Sequence, residues 1–307
     1  MILLDYSQTA IANIMAELGG RTDVVLNIQV VRHMILNSIR SYNVKFRKEF
    51  GEMVICCDSK NYWRKKIFPN YKSNRKKERA ESKIDWASIF EGLNIVKEDL
   101  ETVFPYPVIS VDTAEGDDAI ATLVIWSQTH DLVEGNALTE AMPQKNIILS
   151  KDHDFLTLQK YEGVRQYSPI DKKDLVIQDS YEATLMESVL MGCRGDGVPR
   201  FMDDDDALVR GQRATTIMKK KLEEWKKMTM EEVACDPYLT KNHTSEELLK
   251  NMKRNKALVD LHEIPTDVQE QIIQSYLGQR GVRNRSKLMN YFVKNGMKQM
   301  VEKMGDF

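Results

Sequence analysis

Cysteine is scarce in this chain and badly placed for chemistry. The 307 residues hold four, Cys56, Cys57, Cys193 and Cys235, with no Cys-x-x-Cys pair and no spacing that would grip zinc. A disulfide scaffold is excluded, and a reducing cytoplasm is the expected compartment. No apolar run approaches the roughly 18 residues of a membrane span. The apolar start from Met1 to Leu4 meets Asp5 without a basic leader, so a soluble, unsecreted protein is expected. A Walker A loop, a Gly-x-Ser-x-Gly elbow, a His-Glu-x-x-His pair and internal repeats are all absent. Total charge gives no lead either, because 44 Lys and Arg against 46 Asp and Glu leave a formal −2.

What the chain does have is pattern. Short apolar runs of the kind found in buried parallel strands occur at Ile2 to Leu4, Met53 to Cys57, Val108 to Val111 and Ile147 to Leu149. Each is followed within a few residues by an Asp. Segments of helical period lie between them, including Ile28 to Phe46 and Trp86 to Val103, so the predicted fold is α/β, a mostly parallel central sheet flanked by helices. The length allows a sizeable core and a second unit. Strand signals stop after about Ser180, which predicts an α/β domain over 1–179 and a helical one over 180–307. The second half carries Lys219 to Lys221, Lys226, Lys227 and a tail in which Arg280, Arg283, Arg285, Lys287, Lys294, Lys298 and Lys303 outnumber Glu302 and Asp306. The run Asp203 to Asp206 is expected to be a solvated loop.

The acids are the chemically informative residues. Asp5, Asp58, Asp152 and Asp154 all follow apolar strands, so an open parallel sheet gathers them at its carboxyl edge. Glu115, Asp117 and Asp118 open a helix, and Asp196 lies in a Gly-flanked turn. Taken singly, each has an ordinary explanation as a cap or turn residue. Taken together, they repel and need cations. Oxygen donors without a matching His or Cys select Mg²⁺ or Mn²⁺ over zinc. Two such ions about 3.5 to 4 Å apart suit phosphodiester hydrolysis, lowering the pKa of an attacking water and stabilising charge on attacking and leaving oxygens.

Between Lys60 and Lys83 stand ten basic residues against only Glu78 and Glu81. So positive a field points to a phosphate backbone, with Tyr62, Trp63 and Tyr71 interleaved to stack on unpaired bases. The plainer reading is a solvated charged face with its aromatics packed inward. Position favours the first, since the strip begins two residues after Asp58.

Several strings carry a family likeness: Leu-Leu-Asp-Tyr-Ser-Gln at 3–8, Cys-Asp-Ser-Lys-Asn-Tyr-Trp-Arg at 57–64, Asn-Tyr-Lys-Ser-Asn-Arg at 70–75, Glu-Gly-Asp-Asp at 115–118, Ser-Lys-Asp-His-Asp-Phe at 150–155 and Tyr-Phe-Val-Lys at 291–294. In this order and spacing the chain resembles the flap endonuclease family of 5′ nucleases, nearest its ribonuclease H branch in T-even-like bacteriophages, over about Ile2 to Phe292. The resemblance implies a PIN-like core and an enzyme working 5′ to 3′ on branched or nicked DNA and RNA–DNA hybrids. Its task would be to remove RNA primers and 5′ flaps or ends in lagging-strand phage replication.

By the same resemblance, Asp5, Asp58, Glu115, Asp117, Asp152, Asp154 and Asp196 inherit roles at two Mg²⁺ ions, for which Mn²⁺ can substitute, and Asp118 a weaker one. Lys72 and Arg75 would hold the scissile phosphate, forming the catalytic set with Asp117 and Asp154. Residues 60–83 become a bridge or arch over the 5′ strand, with Arg64, Lys65, Lys66, Tyr71, Lys76 and Lys77 as contacts. A helix–three-turn–helix gripping the duplex is expected near Gly211-Gln212-Arg213-Ala214-Thr215, with Gly211 and Arg213 touching the backbone. Expected partners of this cytoplasmic monomer are a single-stranded-DNA-binding protein and the sliding clamp. Tyr291 and Phe292 are candidate contacts, although core aromatics of a terminal helix is the favoured reading of that pair.

Two departures from the family stand out. Cys193 occupies a position where many relatives have Asp, and the duplex loop lacks the Gly-x-Gly-x-Lys form that binds a monovalent cation. The alternatives are a PIN-class ribonuclease, which generally lacks the basic bridge and long helical half, and a catalytically silent binder of branched DNA.

Overall fold

The computed structural model describes residues 1–21, 27–129, 144–280 and 285–307, so Arg283 of the basic tail lies outside the described residues. Six strands form one sheet: β1 (Ile2–Asp5), β2 (Met53–Cys56), β3 (Val108–Ile109), β4 (Asn146–Leu149), β5 (Val164–Ser168) and β6 (Lys173–Leu175). Their order is β3-β2-β1-β4-β5-β6, parallel throughout except for the antiparallel β5–β6 edge. Ile2, Leu3 and Leu4 are wholly buried because β1 is central and covered on both faces, with Leu3 opposite Val54 and Ile148. Burial of each such side chain contributes roughly 1.5 to 3 kcal/mol.

Helices α1 (Tyr6–Leu18), α2 (Ile28–Phe50) and α5 (Trp86–Val103) share one apolar cluster with Ile2, Leu4 and Ile55. The predicted period of α2 runs four residues beyond Phe46, to a stop at Gly51, whose φ of 78° suits a residue without a side chain. On the opposite face α6 (Gly116–Thr129) packs over Leu3, Val54 and Ile148. The basic strip contains two short helices, α3 (Arg64–Ile67) and α4 (Ser73–Glu81).

Beyond the sheet come α7 (Tyr181–Met191), α8 (Lys219–Trp225), α9 (Met230–Ala234), α10 (Ser245–Val259), α11 (Thr266–Gln279), α12 (Arg285–Lys294) and α13 (Lys298–Glu302). Residues 181–259 build a cluster of their own around Phe201 and Trp225, which Phe68 and Tyr71 of the strip also enter. The chain then returns to the sheet. Val268, Ile272 and Tyr276 of α11 join the α6 side, while Tyr291, Phe292 and Met300 join the α2 side. Phe292 is fully buried and the Tyr291 hydroxyl donates to Asp99 at 2.7 Å, so this pair is core and not a partner surface.

Two expectations need correction here. No helix flanks Gly211 to Thr215 on the amino side: turns fill 205–211, and irregular chain continues to Met218. Carboxylates organise that segment instead, with Asp203 accepting from the Thr215 amide at 3.1 Å and Arg210 pairing with Asp204 and Asp206 at 2.6 and 2.8 Å. The acidic run is therefore not simply solvated, since Asp203 is buried and Asp205 pairs with Arg254.

Candidate active site

The carboxyl ends of the strands deliver the acids to one edge. Asp5 ends β1 and caps α1, accepting from the Gln8 amide at 3.0 Å through one oxygen and from the Ser150 hydroxyl at 3.0 Å through the other. Asp58 follows β2 and accepts from the Gly116 amide at 2.8 Å. A Cβ on Gly116 would stand 3.3 Å from the Cys56 carbonyl oxygen, so glycine allows α6 to start this close to β2. Asp152 follows β4 and caps the 3₁₀ turn His153–Lys160 by accepting from the Asp154 amide at 3.0 Å. Ser150, which the sequence reading did not single out, also donates to Asp5 and accepts from the Asp152 amide at 3.1 Å, tying β1 to β4 at the site.

A cleft of about 760 Å³ opens here, lined by Asp5, Asp58, Asp117 and Asp152 together with Tyr62, Lys72, Arg75 and Arg79. Arg79 entered the sequence reading only as one charge in the strip. In the structure it lies over the Phe90 ring at 4.8 Å, and both residues line the cleft wall.

Burial and neighbouring acids push the Asp5 carboxyl up to about 7, with Asp58 the nearest cause after burial. Burial, then Asp152 and Asp196, push Asp154 up to about 8, and burial with Asp152 and Asp5 raises Asp117 well above the ordinary range. Glu115 behaves in the opposite way. Burial alone would raise it, but Lys72 and Arg64 hold it below the usual carboxylate value. Its oxygens accept from the Tyr71 hydroxyl at 2.9 Å, from Arg64 Nη1 at 2.9 Å and from Lys72 Nζ. Asp196 takes Arg75 Nη2 at 2.6 Å, with Lys72 Nζ at 3.6 Å.

Backbone geometry fixes this second group. Lys72 sits at a left-handed φ of 55°, and its amide donates to the Asp196 carbonyl at 2.7 Å. Asn74 donates to the Arg194 carbonyl at 2.8 Å and Arg75 Nε to that of Gly195 at 3.0 Å, so the start of α4 is zipped to the 194–196 turn. Gly197 closes the fit: a Cβ there would lie 2.9 Å from the Asn70 carbonyl oxygen. The Cys193 thiol is pushed up to about 12 by burial and by Asp196 and Asp154, and the Cys193 carbonyl accepts from the Asp196 amide at 3.1 Å.

Several of the expected roles change in the folded protein. Arg64 is 2% exposed and Tyr71 3%, so neither can meet nucleic acid; both are spent on Glu115. Asp118 is fully buried, accepts from Trp63 Nε1 at 3.0 Å and from the Glu115 amide at 2.9 Å through one oxygen, and is ion-paired with Arg64 at 2.8 Å through the other, so it belongs to this frame and not to an ion. Lys65, Lys66, Lys76 and Lys77 are exposed, as are Gly211 and Arg213 on their loop. Among the described residues no three acid, thiol or imidazole side chains form a finished ion cage. The donor set still fits a hard divalent cation, being all oxygen, with Asp5, Asp117 and Asp154 raised in pKa by burial and then by neighbouring acids.

Known proteins share both halves of this arrangement. A family model described as the 5′-3′ exonuclease N-terminal resolvase-like domain matches residues 14–187, and one described as T4 RNase H, C terminal, matches residues 179–307. The ribonuclease H of Enterobacteria phage T4 is 32% identical over 313 residues, covering 99% of this chain and 95% of that protein. Among solved structures, the T5 D15 protein co-crystallised with metal ions is 15% identical with a TM-score of 0.60, covering 91% of this chain and 98% of the other. A bacteriophage T5 D15 flap endonuclease variant in a pseudo-enzyme–product complex with DNA and metal ions gives 17% and 0.61 over the same shares. At such identities the structural likeness shows the fold.

Proposed function

The chain belongs to the 5′-3′ exonuclease family, in the branch whose carboxy-terminal half is that of T4 ribonuclease H, and from this we propose a divalent-metal-dependent nuclease acting 5′ to 3′. It removes RNA primers and 5′ flaps or ends from branched or nicked DNA and RNA–DNA hybrids during lagging-strand replication. One observation carries the reading: acids short of countercharge line the same cleft as Lys72 and Arg75.

Asp5, Asp58, Asp117, Asp152 and Asp154 would hold two Mg²⁺ ions, with Mn²⁺ able to substitute, and Glu115 and Asp196 stand at their border with the cations. When bound, the ions supply an acidified water and positive charge for the oxygens of the reacting phosphate. Lys72 and Arg75 neutralise the phosphate, Arg75 through a planar fork and Lys72 as a point charge. The exposed Lys65, Lys66, Lys76 and Lys77 draw in the 5′ strand, and half-buried Tyr62 offers a stacking face at the cleft. Contacts of this kind read the backbone, so branch shape outranks sequence.

No helix among the described residues is long and apolar enough to cross a membrane. A monomer acting at forks in the host cytoplasm would meet a single-stranded-DNA-binding protein and the sliding clamp, and exposed Leu277, Met289 and Val293 offer apolar surface for such contacts. The test is product sizing on a 5′ flap and on a nicked RNA–DNA hybrid, with and without Mg²⁺. Short 5′ products that appear only with metal are expected; tight binding without metal-dependent cutting ends the reading.

A further inference from the structure

Arg64 belongs to the basic strip by sequence, yet at 2% exposure its charge never meets solvent. Its guanidinium reaches three parts of the chain at once. Nε donates to the Leu258 carbonyl at 2.9 Å, and Nη1 lies 2.9 Å from Glu115 Oε2 and 2.8 Å from Asp118 Oδ1. The same plane lies over the Trp63 ring at 4.4 Å.

Leu258 is in the last turn of α10, where carbonyls lack a partner within the helix and carry the negative end of its dipole. Glu115 is the acid that holds Lys72, and Asp118 holds both Trp63 and the Glu115 amide. Arg64 and Asp118 therefore fix Glu115 from two sides, one by its carboxylate and the other by its backbone. A lysine could match the charge of Arg64 but not its fork, since a single ammonium does not reproduce planar contacts to two carboxylates and a carbonyl.

We infer that Arg64 is a positioning residue, which ties the end of α10 to Glu115 and so sets where the ion-facing acids and Lys72 stand. This rests on the nuclease reading above and adds to it a buried link from the helical part to the reacting centre.

The test is Arg64→Lys, measured by calorimetric titration of Mn²⁺ without nucleic acid and by steady-state cleavage of a flap. Mn²⁺ affinity and kcat are each expected to fall roughly tenfold or more, as for other groups that orient metal ligands. KM for the flap should stay within about twofold, because the exposed lysines that bind it are untouched. Unchanged Mn²⁺ affinity and kcat would reduce Arg64 to charge compensation and overturn the inference. Should Arg64→Lys not fold, the same titration on Trp63→Phe decides, since that change leaves a smaller aromatic face beside the guanidinium and removes the indole N–H bond to Asp118. Weaker Mn²⁺ binding is expected there too, and parental binding overturns the inference. If the parent protein neither binds Mn²⁺ nor cuts with it, the nuclease reading fails instead.

Discussion

Two sets of carboxylates share the carboxyl edge of the sheet and respond to it in opposite ways. Glu115 is 1% exposed and Asp5 8%, yet Glu115 is held below the usual range and Asp5 is pushed up to about 7. Burial does not separate them; neighbours do. Glu115 and Asp196 pair directly with Arg64, Lys72 and Arg75, whereas Asp5, Asp117 and Asp154 feel chiefly other acids, Asp152 for all three and Asp58 or Asp196 besides. The first set is a completed ion-pair network of the frame, and the second is repulsion that a cation from outside would relieve.

The sharpest way to break this contrast is to neutralise the repelling set. Asp117→Asn or Asp154→Asn should lower cleavage by roughly a thousandfold while duplex binding in EDTA holds, because the basic groups supply affinity. Parallel loss of binding, seen in a gel-shift titration, would merge the two sets into one. Stability should split them too. Glu115→Gln orphans buried cations and should destabilise by about 3 to 5 kcal/mol in a denaturant titration. Asp154→Asn in the metal-free protein should be neutral or stabilising, and equal losses would erase the distinction. Lys72→Ala should reduce turnover by about 10- to 100-fold in single-turnover assays, and unchanged kinetics would remove it from the site.

pH offers a gentler probe. Asp5 and Asp154 titrate near 7 and 8 in the folded protein, against about 3.9 in an unfolded chain. Both values are raised, so the folded state binds more protons between pH 4 and 8, and metal-free stability falls as pH climbs through that window. Divalent ions compete with those protons. The rise in Tm on adding Mg²⁺ should therefore be larger at pH 9 than at pH 6, and equal shifts would mean the ions bind elsewhere. The smallest effect belongs to Cys193→Asp, which adds an acid beside Asp154 and Asp196. Activity should survive, with metal-free stability lower by about 1 kcal/mol and more metal needed for half-maximal rate; abolished activity would give the thiol a role of its own.

Much of this was legible in the residues alone. Continuous apolar runs announced β1 to β4, and the acid after each marked the edge where ligands gather. β5 was hidden because its burial is mixed, with Gln166 held inside by donating to the Ser150 and Asp152 carbonyls at 3.0 and 2.6 Å between apolar Val164 and Tyr167, and β6 because it is a short, largely exposed edge. The basic strip misled for a related reason. A run of Lys and Arg signals exposure only on average, and nothing local told Arg64, which turns inward to two carboxylates, from Lys65, which does not. Around Gly211 a family motif outweighed the local signal of four consecutive Asp residues, which favour side-chain-organised loops over helix.

The strand order has a further consequence, for the newly made protein. β1 is central and precedes both of its neighbours in the chain, so Ile2 must wait for Ile147 to complete its pairing. The acids arrive piecemeal, from Asp5 through Asp58 and Asp117 to Asp154 and finally Asp196. A chain that stopped before Asp196 would hold those earlier acids but leave Lys72 and Arg75 without the carboxylate that pairs with both.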